Sequence, residues 1–297
     1  MEKRTAASIR ARVRAEMIYE IKEAARRQLA TEGANLSLRA IARELGVVSS
    51  ALYRYFASRD ELLTALIIDA YDAIGEAGER ADAAVANRDD LIGRWLAVTH
   101  AWRDWALAHP AEYALIHGSP VPGYAAPVDT VAPANRRFLV VAAIVIDGSR
   151  SGLLAPARMS IALPAIPARL GAELDTVSAG VSIGADADLV ACVFIAVIEI
   201  FGALNFELFG QLNNTIDERP AWFDLQARVM AGLIGLGRLL AGRVGPADLD
   251  PNLEAEGLLA MSAGLGTSIL AGHSSPVQAQ AVIDYHLYRL FPASRPD

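Results

Sequence analysis

The feature that most constrains the fold is a series of apolar residues at three- and four-residue steps, interrupted twice by glycine, between positions 12 and 67. This spacing places apolar side chains on one face of an α-helix, and glycine commonly ends one. The first run stops at Gly33, which predicts an amphipathic helix over residues 12–32. Its apolar positions are Val13, Met17, Ile21, Ala24, Ala25 and Leu29.

Two short helices are predicted after this one, with Gly46 between them. Ser37 offers a hydroxyl cap to the first, and the second runs from about Ser49 to Phe56. Ser58 caps a longer helix whose first turn is acidic, as the helix dipole favours. Two short helices joined by a glycine-containing turn, behind a longer bracing helix, are typical of a helix-turn-helix.

Charge is distributed unevenly along the chain. Residues 1–59 hold twelve Lys and Arg against six Asp and Glu, a balance of +6, and the remainder carries −13, which gives the net charge of −7. A basic end on an acidic body is expected of a protein that binds a polyanion at that end. On charge alone, a solvated basic helix without a partner explains the pattern equally well.

The start of the second short helix has the chemistry to read DNA. In a helix-turn-helix these residues face the major groove. Ser49, Ser50 and Ala51 are short enough to let the backbone approach, and hydroxyls meet either donor or acceptor edges of bases.

Residues around this helix start are suited to phosphate contacts, which set the register without reading sequence. Tyr53, Arg54 and Tyr55 follow it, while Ser37 and Arg59 lie at helix N-termini that can bind flanking phosphates. The alternative for Tyr53 is packing inside the small domain, which is also what we expect of Phe56.

The stretch LSLRAIARELGVVSSALYRYFASRDELLTAL resembles the DNA-binding domain of TetR-family transcriptional regulators, over roughly residues 12–70. Many members have Ser or Thr where this chain has Val48, which leaves Ser49 as the first polar group of the helix. The resemblance implies a ligand-responsive regulator, most often a repressor, that binds an inverted-repeat operator in double-stranded DNA as a homodimer. It assigns these residues to the DNA surface: Ser37, Ser49, Ser50, Ala51, Tyr53, Tyr55 and Arg59.

The rest of the chain reads as a larger helical body. Residues 89–109, 136–148, 187–212 and 221–240 are predicted helices, and prolines and glycines predict an irregular connection over 155–185. The last two helices are apolar around most of their circumference, so they need burial on more than one side. We expect a four-helix dimer interface that includes Gly202 and Leu208.

An effector pocket is predicted among the helices of this body. HPAEYALIHGSPVPGY and EIFGALNFELFGQL resemble the effector domain of a TetR subgroup, although members often have His-Gly where this chain has Phe201-Gly202. The candidate pocket walls are Trp95, Trp102, Phe138 and Phe201. Ordinary core packing is the alternative for each.

The sequence gives little support for a metal site, a phosphate-binding loop or a catalytic site. Cys192 is the single cysteine, the histidines lack the i,i+4 spacing of a helical metal site, and no phosphate-binding loop is present. We therefore expect no cofactor and no metal, and an all-helical enzyme is a poor alternative. A sequence-independent DNA-coating protein, the other alternative, would spread its basic charge along the chain.

These observations predict an all-α protein. The expected divisions are a three-helix DNA-binding domain at 1–62, an effector-binding and dimerisation domain at 63–245, and a linker with a helical hairpin at 246–297. Uninterrupted apolar runs fall short of the ~20 residues that cross a bilayer. A cytoplasmic protein with no membrane association is expected.

Overall fold

The computed structural model describes residues 2–154, 166–180 and 187–236, with side chains from residue 9 onward. Regular structure in these ranges consists of helices, so the all-α prediction is confirmed. A short 3-10 helix lies at Val128–Thr130. The α-helices are α1 Glu2–Glu32, α2 Leu38–Glu44, α3 Ser49–Leu52, α4 Arg59–Ala84, α5 Leu91–Ala108, α6 Pro110–His117, α7 Val131–Arg150, α8 Ala168–Gly180, α9 Ala187–Leu208 and α10 Arg219–Leu233.

The chain forms two compact units. Among the described residues, the first consists of those up to Ala84 together with Ala97–Val140, and the second consists of Val85–Leu96 and those from Val141 to Leu236. Helices α5 and α7 therefore each contribute residues to both units. The predicted hairpin at 246–297 lies outside the described residues.

The helix-turn-helix core lies in the first unit, between α1, α2, α3 and the start of α4. Gly33 and Gly46 have φ of +60° and +68°, a conformation that glycine adopts at little cost, and each follows the end of a helix as predicted. The side chains that form this core are Ile21, Ala24, Ala25, Leu29, Leu36, Leu38, Ile41, Ala42, Leu52, Phe56, Leu62, Leu63 and Leu66.

Several predicted helix boundaries are wrong; for example, α7 begins at Val131 rather than near residue 136, and α10 ends at Leu233 rather than near residue 240. Helix α1 begins at Glu2 rather than near Arg12. Helix α3 ends at Leu52 rather than Phe56, because the backbone N–H groups of Arg54 and Tyr55 bond to carbonyls three residues back, which tightens the chain into turns. Helix α9 ends at Leu208 and turns follow it.

The irregular connection predicted over 155–185 is also wrong in part. Residues 168–180 form α8, which packs against α9. Pro167 comes directly before this helix, where its missing N–H costs no hydrogen bond, and Gly180 ends it. The proline and glycine mark the ends of a helix rather than its absence.

The second unit is held by contacts between residues far apart in the chain. The indole Nε1 of Trp95 donates a hydrogen bond to the Ala227 carbonyl at 2.7 Å. Arg94 is fully buried, and its Nη2 lies 2.9 Å from a carboxylate oxygen of Asp147. Helix α9 packs against both α8 and α10.

Among the described helices, α9 is long and apolar enough to cross a membrane by length and composition alone. Half of its most apolar stretch is buried within the fold, however, and the core helix of a soluble protein has the same properties. The apolarity of α9 is therefore weak evidence for a membrane span.

Candidate nucleic-acid interface

Helix α3 has small, mostly polar side chains on its outer side and one buried side chain, Leu52, on its inner side. It begins at Ser49, after Val48 in extended backbone conformation, and its inward residue Leu52 is 1% exposed. Ser50 is exposed, while Ser49 and Ala51 are half-buried. The first turn of α3 thus has small side chains at its surface, as the sequence predicted.

The residues after α3 separate into core and surface. Phe56 is buried, as expected, whereas Tyr53 is 48% exposed and so does not fill the small domain's core. Arg54 is exposed as well. Tyr55 is half-buried and packs against the helix-turn-helix core.

Arg14 of α1 contacts this segment, a feature that the sequence analysis missed. Its Nη1 donates to the Arg54 carbonyl at 3.3 Å, and its guanidinium lies 5.1 Å from the centre of the Tyr55 ring. Helical periodicity in the sequence could have indicated that Arg14 lies on the same side of α1 as the core residues. Arg14 lies seven residues before Ile21, two turns back on the same face of α1.

Ser37 and Arg59 already have partners inside the domain. The Ser37 hydroxyl accepts a hydrogen bond from the Ala40 N–H at 3.3 Å, which makes it the cap of α2. It can still donate its own proton. Arg59 donates through Nη2 to the Ala34 carbonyl at 2.6 Å, so it ties the start of α4 to the loop after α1.

The cations of the basic segment fall into two groups. Lys22, Arg26 and Arg27 are engaged by carboxylates: the first two bind Asp69, each at 2.7 Å, and the third binds Glu44 at 2.7 Å. In the part of the chain that the structure describes, another group is exposed and forms no ion pair: Arg39, Arg43 and Arg54. The positive charge available to a partner therefore lies on α2 and just after α3, and also on the first half of α1, where Arg12 and Arg14 are exposed and form no ion pair in the described chain.

A cavity of about 510 Å³ lies elsewhere in the first unit. Helices α4 and α6, the loop after α6 and the start of α7 form its walls, which are mostly apolar. Polar groups come from Tyr71, Tyr124, Thr130 and Asn135. The Tyr124 hydroxyl lies 2.9 Å from the Thr64 hydroxyl, and the Tyr71 hydroxyl donates to the Ile116 carbonyl at 3.4 Å.

A cluster of polar side chains adjoins Tyr71, in which Tyr113 is buried and His117 and Arg137 are half-buried. The Arg137 guanidinium lies 5.2 Å from the centre of the Tyr71 ring, and the His117 ring lies 4.9 Å from that of Tyr113. Burial and, to a lesser extent, the positive charge of Arg137 lower the pKa of His117 to about 3. Burial raises the pKa of Tyr113 and lowers that of Arg137. The imidazole and the phenol are therefore neutral near pH 7.

The four residues predicted to wall an effector pocket do not line this cavity. Trp95 and Trp102 are fully buried, Phe201 is buried, and Phe138 is half-buried. Trp95 and Phe201 belong to the second unit, whereas Trp102 and Phe138 belong to the first. Their role in effector binding stays a prediction.

The predicted dimer residues lie on an open part of α9. No atom lies within 4 Å of the position that a Cβ on Gly202 would occupy, and Leu208 is half-buried. The outward apolar residues nearby are Ile195, Ile198 and Phe209, which are 44%, 62% and 44% exposed. Within residues 2–154, 166–180 and 187–236, no group of His, Cys, Asp and Glu side chains could hold a metal ion.

Two family models match the chain. The model for bacterial regulatory proteins of the tetR family matches residues 21–66, and the model for the tetracyclin repressor-like C-terminal domain matches residues 95–230. The matches thus cover both the helix-turn-helix and most of the helical body.

Whole proteins agree with these matches. The HTH-type transcriptional regulator Rv1816 of Mycobacterium tuberculosis is 38% identical over 220 residues, which is 72% of this chain and 91% of that protein. The crystal structure of the protein SCO4313 is 33% identical with a TM-score of 0.59, and the match covers 75% of this chain and 98% of that one. A protein of unknown function from Rhodococcus sp. RHA1 shares the fold at 23% identity and a TM-score of 0.52, over 71% of this chain and 93% of that one. The chain therefore belongs to the TetR family of helix-turn-helix transcriptional regulators.

Proposed function

We propose that this TetR-family regulator is a cytoplasmic repressor that binds an inverted-repeat operator as a homodimer and leaves it when a small molecule binds. The observation that carries the proposal is the exposed surface of α2 and α3. Short polar side chains lie there beside Arg39, Arg43 and Arg54, which are exposed and form no ion pair in the described chain.

In this proposal the residues of that surface divide by task. Ser49, Ser50 and Ala51 meet base edges in the major groove, because their short side chains allow close approach. The phosphate contacts come from Ser37, Tyr53, Arg54, Tyr55 and Arg59. Arg59 has the additional task of holding the start of α4, through its bond to the Ala34 carbonyl.

The exposed apolar stripe on α9 supports the homodimer. Ile198 is 62% exposed, and the open space around Gly202 leaves room for a second helix to approach closely. Leu208→Asp is expected to convert the dimer to a monomer in sedimentation experiments, because a carboxylate would enter an apolar contact. Asp217→Ala, which changes an exposed residue beyond α9, is the control. A dimer that is unchanged by Leu208→Asp and by Gly202→Leu would contradict this interface.

The cavity between α4, α6 and α7 is the proposed effector site. Its mostly apolar walls, with hydroxyls from Tyr71 and Tyr124, suit a small apolar or aromatic molecule that carries a polar group. Tyr124 and Leu115, which line the cavity, also pack against the helix-turn-helix core. An occupant that displaces them favours a different arrangement of that core, by as much as its affinities for the two arrangements differ.

Footprinting on the DNA around the protein's own gene tests the central proposal. We expect protection of one discrete inverted repeat, and loss of discrimination against random DNA in Ser50→Leu, whose larger side chain crowds the groove. Tyr53→Phe is expected to weaken binding to operator and random DNA by similar factors, since it removes a phosphate contact. Tyr19→Phe, which changes an exposed tyrosine of α1, is its control.

The result that contradicts the proposal is equal binding to all duplexes by the unmodified protein. That outcome would favour the sequence-independent DNA-binding alternative. Altered sequence preference in Tyr53→Phe, with general affinity unchanged, would contradict the division of tasks.

A further inference from the structure

We propose that residues 2–16 of α1 form a second DNA-binding element, which contacts the phosphate backbone beside the half-site bound by α3. Arg10 is the contacting residue and Arg14 the positioning residue. This inference rests on the proposed function, since it assumes that the surface of α2 and α3 binds DNA.

Within the part of the chain that the structure describes, the first half of α1 extends beyond the helix-turn-helix core. Every described residue from Ile9 to Glu16 is exposed, Met17 is half-buried, and Ile21 is the first fully buried position of the helix. At 1.5 Å per residue, the fifteen residues before Met17 make a rod of about 22 Å. An isolated helix of this length is only marginally stable in water. A partner that binds the rod would stabilise it.

The charge of the rod identifies the partner as a polyanion. Residues 2–16 carry five Lys and Arg against two Glu, a balance of +3. Arg10 and Arg14 lie eleven and seven residues before Ile21, which places both on the face of α1 that becomes its buried face further along. This face of α1 is therefore apolar at Ile21, where the helix packs against the core, and cationic at Arg10 and Arg14, where the helix is exposed. Arg12 lies on the opposite face.

Contacts of Arg14 place the cationic face beside the recognition segment. Its guanidinium reaches the Arg54 carbonyl at 3.3 Å and lies 5.1 Å from the centre of the Tyr55 ring. Arg10 is one turn further out, about 6 Å along the helix axis. A duplex held by Tyr53 and Arg54 would therefore continue past Arg10. Because arginine contacts to phosphates carry no sequence information, the element adds affinity rather than specificity.

The salt dependence of DNA binding tests this inference. Arg10→Ala is expected to weaken binding to operator and random duplexes by similar factors, and to reduce the slope of log K against log salt by about 0.9, which is the value for one phosphate contact. Arg12→Ala makes the same change of charge on the same helix but on the opposite face, and it is expected to leave the slope unchanged. Circular dichroism of both variants checks that α1 is intact.

Arg14→Ala tests the positioning role through coupling. If Arg14 holds the element in place, Arg14→Ala also loses the phosphate contact of Arg10. The double variant Arg10→Ala, Arg14→Ala should then have the same slope of log K against log salt as Arg14→Ala alone. Equal slope changes in Arg10→Ala and Arg12→Ala, or no change in either, would overturn the inference. Failure of the unmodified protein to prefer any inverted repeat would instead overturn the proposed function, and the slopes on random DNA would still test this element.

Discussion

The helix ends of the helix-turn-helix segment and the packing of the second unit depend on contacts over very different distances along the chain. In the segment, Ser37 caps Ala40 and Ser58 caps Glu61, each three residues away. In the second unit, Trp95 bonds to Ala227, which is 132 residues away. Boundaries set by neighbouring residues are visible in the sequence, whereas long-range contacts are not. The segment should therefore respond locally to mutation and the second unit globally.

The largest expected effect is that of Asp147→Ala in the second unit. Arg94 is fully buried, so removal of Asp147 takes a carboxylate partner away from a charge inside the protein. Because Asp147 itself is 46% exposed, we expect a loss of about 3 kcal/mol, at the lower end for such pairs. Urea unfolding measures it.

Asp224→Ala is the control for this change. It removes a carboxylate from an exposed pair with Arg228 in the same unit and should cost about 0.5 kcal/mol or less. If Arg94→Met in the Asp147→Ala background fails to recover stability, the buried charge is not the cause.

Acid should destabilise the first unit through His117. Its folded pKa of about 3 lies below the ordinary 6.5, so protonation favours the unfolded chain. The stability present above pH 6.5 is lost as the pH falls toward 3, by about 1.4 kcal/mol per pH unit, or roughly 2 kcal/mol at pH 5. His117→Asn should remove this part of the pH dependence in urea unfolding at pH 7.5 and pH 5.

His109→Asn, which changes an exposed histidine, is the control for that measurement. Identical pH dependence in the unmodified protein and in His117→Asn would show that burial of this imidazole has no effect on folding.

A smaller loss is expected for Gly78→Ala in α4. Its new Cβ would lie 2.5 Å from the indole Nε1 of buried Trp102, so the ring would have to shift, at a cost of about 1–2 kcal/mol. Gly171→Ala in α8 finds its nearest neighbour at 3.9 Å and should be neutral or stabilising, since alanine favours helices. Thermal unfolding of the pair compares them. Equal melting temperatures would show that the Trp102 contact relaxes freely.

The smallest effect on stability belongs to the caps. Ser37→Ala and Ser58→Ala each lose one capping bond, worth about 1 kcal/mol. Only Ser37 is proposed to bind phosphate as well, so only its removal should weaken DNA binding at a temperature where both variants are folded. Equal affinities of the two variants for DNA would remove Ser37 from the proposed interface.

The difference between local and long-range contacts also explains which features could be predicted from the sequence. Ser37, Gly33 and Gly46 act on their neighbours, and the helix ends that they mark were predicted. Helix α8 depends on packing against α9, so it was not visible in local patterns. The end of α3 is set by backbone bonds to carbonyls three residues back, which are local but leave the spacing of apolar residues unchanged, so the apolar pattern did not show it. Arg14 was missed because its partners, Arg54 and Tyr55, are about forty residues away.

The discontinuity of the first unit has a consequence for the order in which the protein folds during its synthesis. The helix-turn-helix core is complete in sequence by Leu66, but Leu115 and Tyr124, which pack against it, are added much later. At about 5–20 residues per second, a ribosome needs several seconds to supply them. During that time, a nascent chain exposes the apolar surface of the helix-turn-helix core that Leu115 and Tyr124 later cover. Slow translation or truncation between residues 66 and 124 is the condition under which we expect chaperone binding.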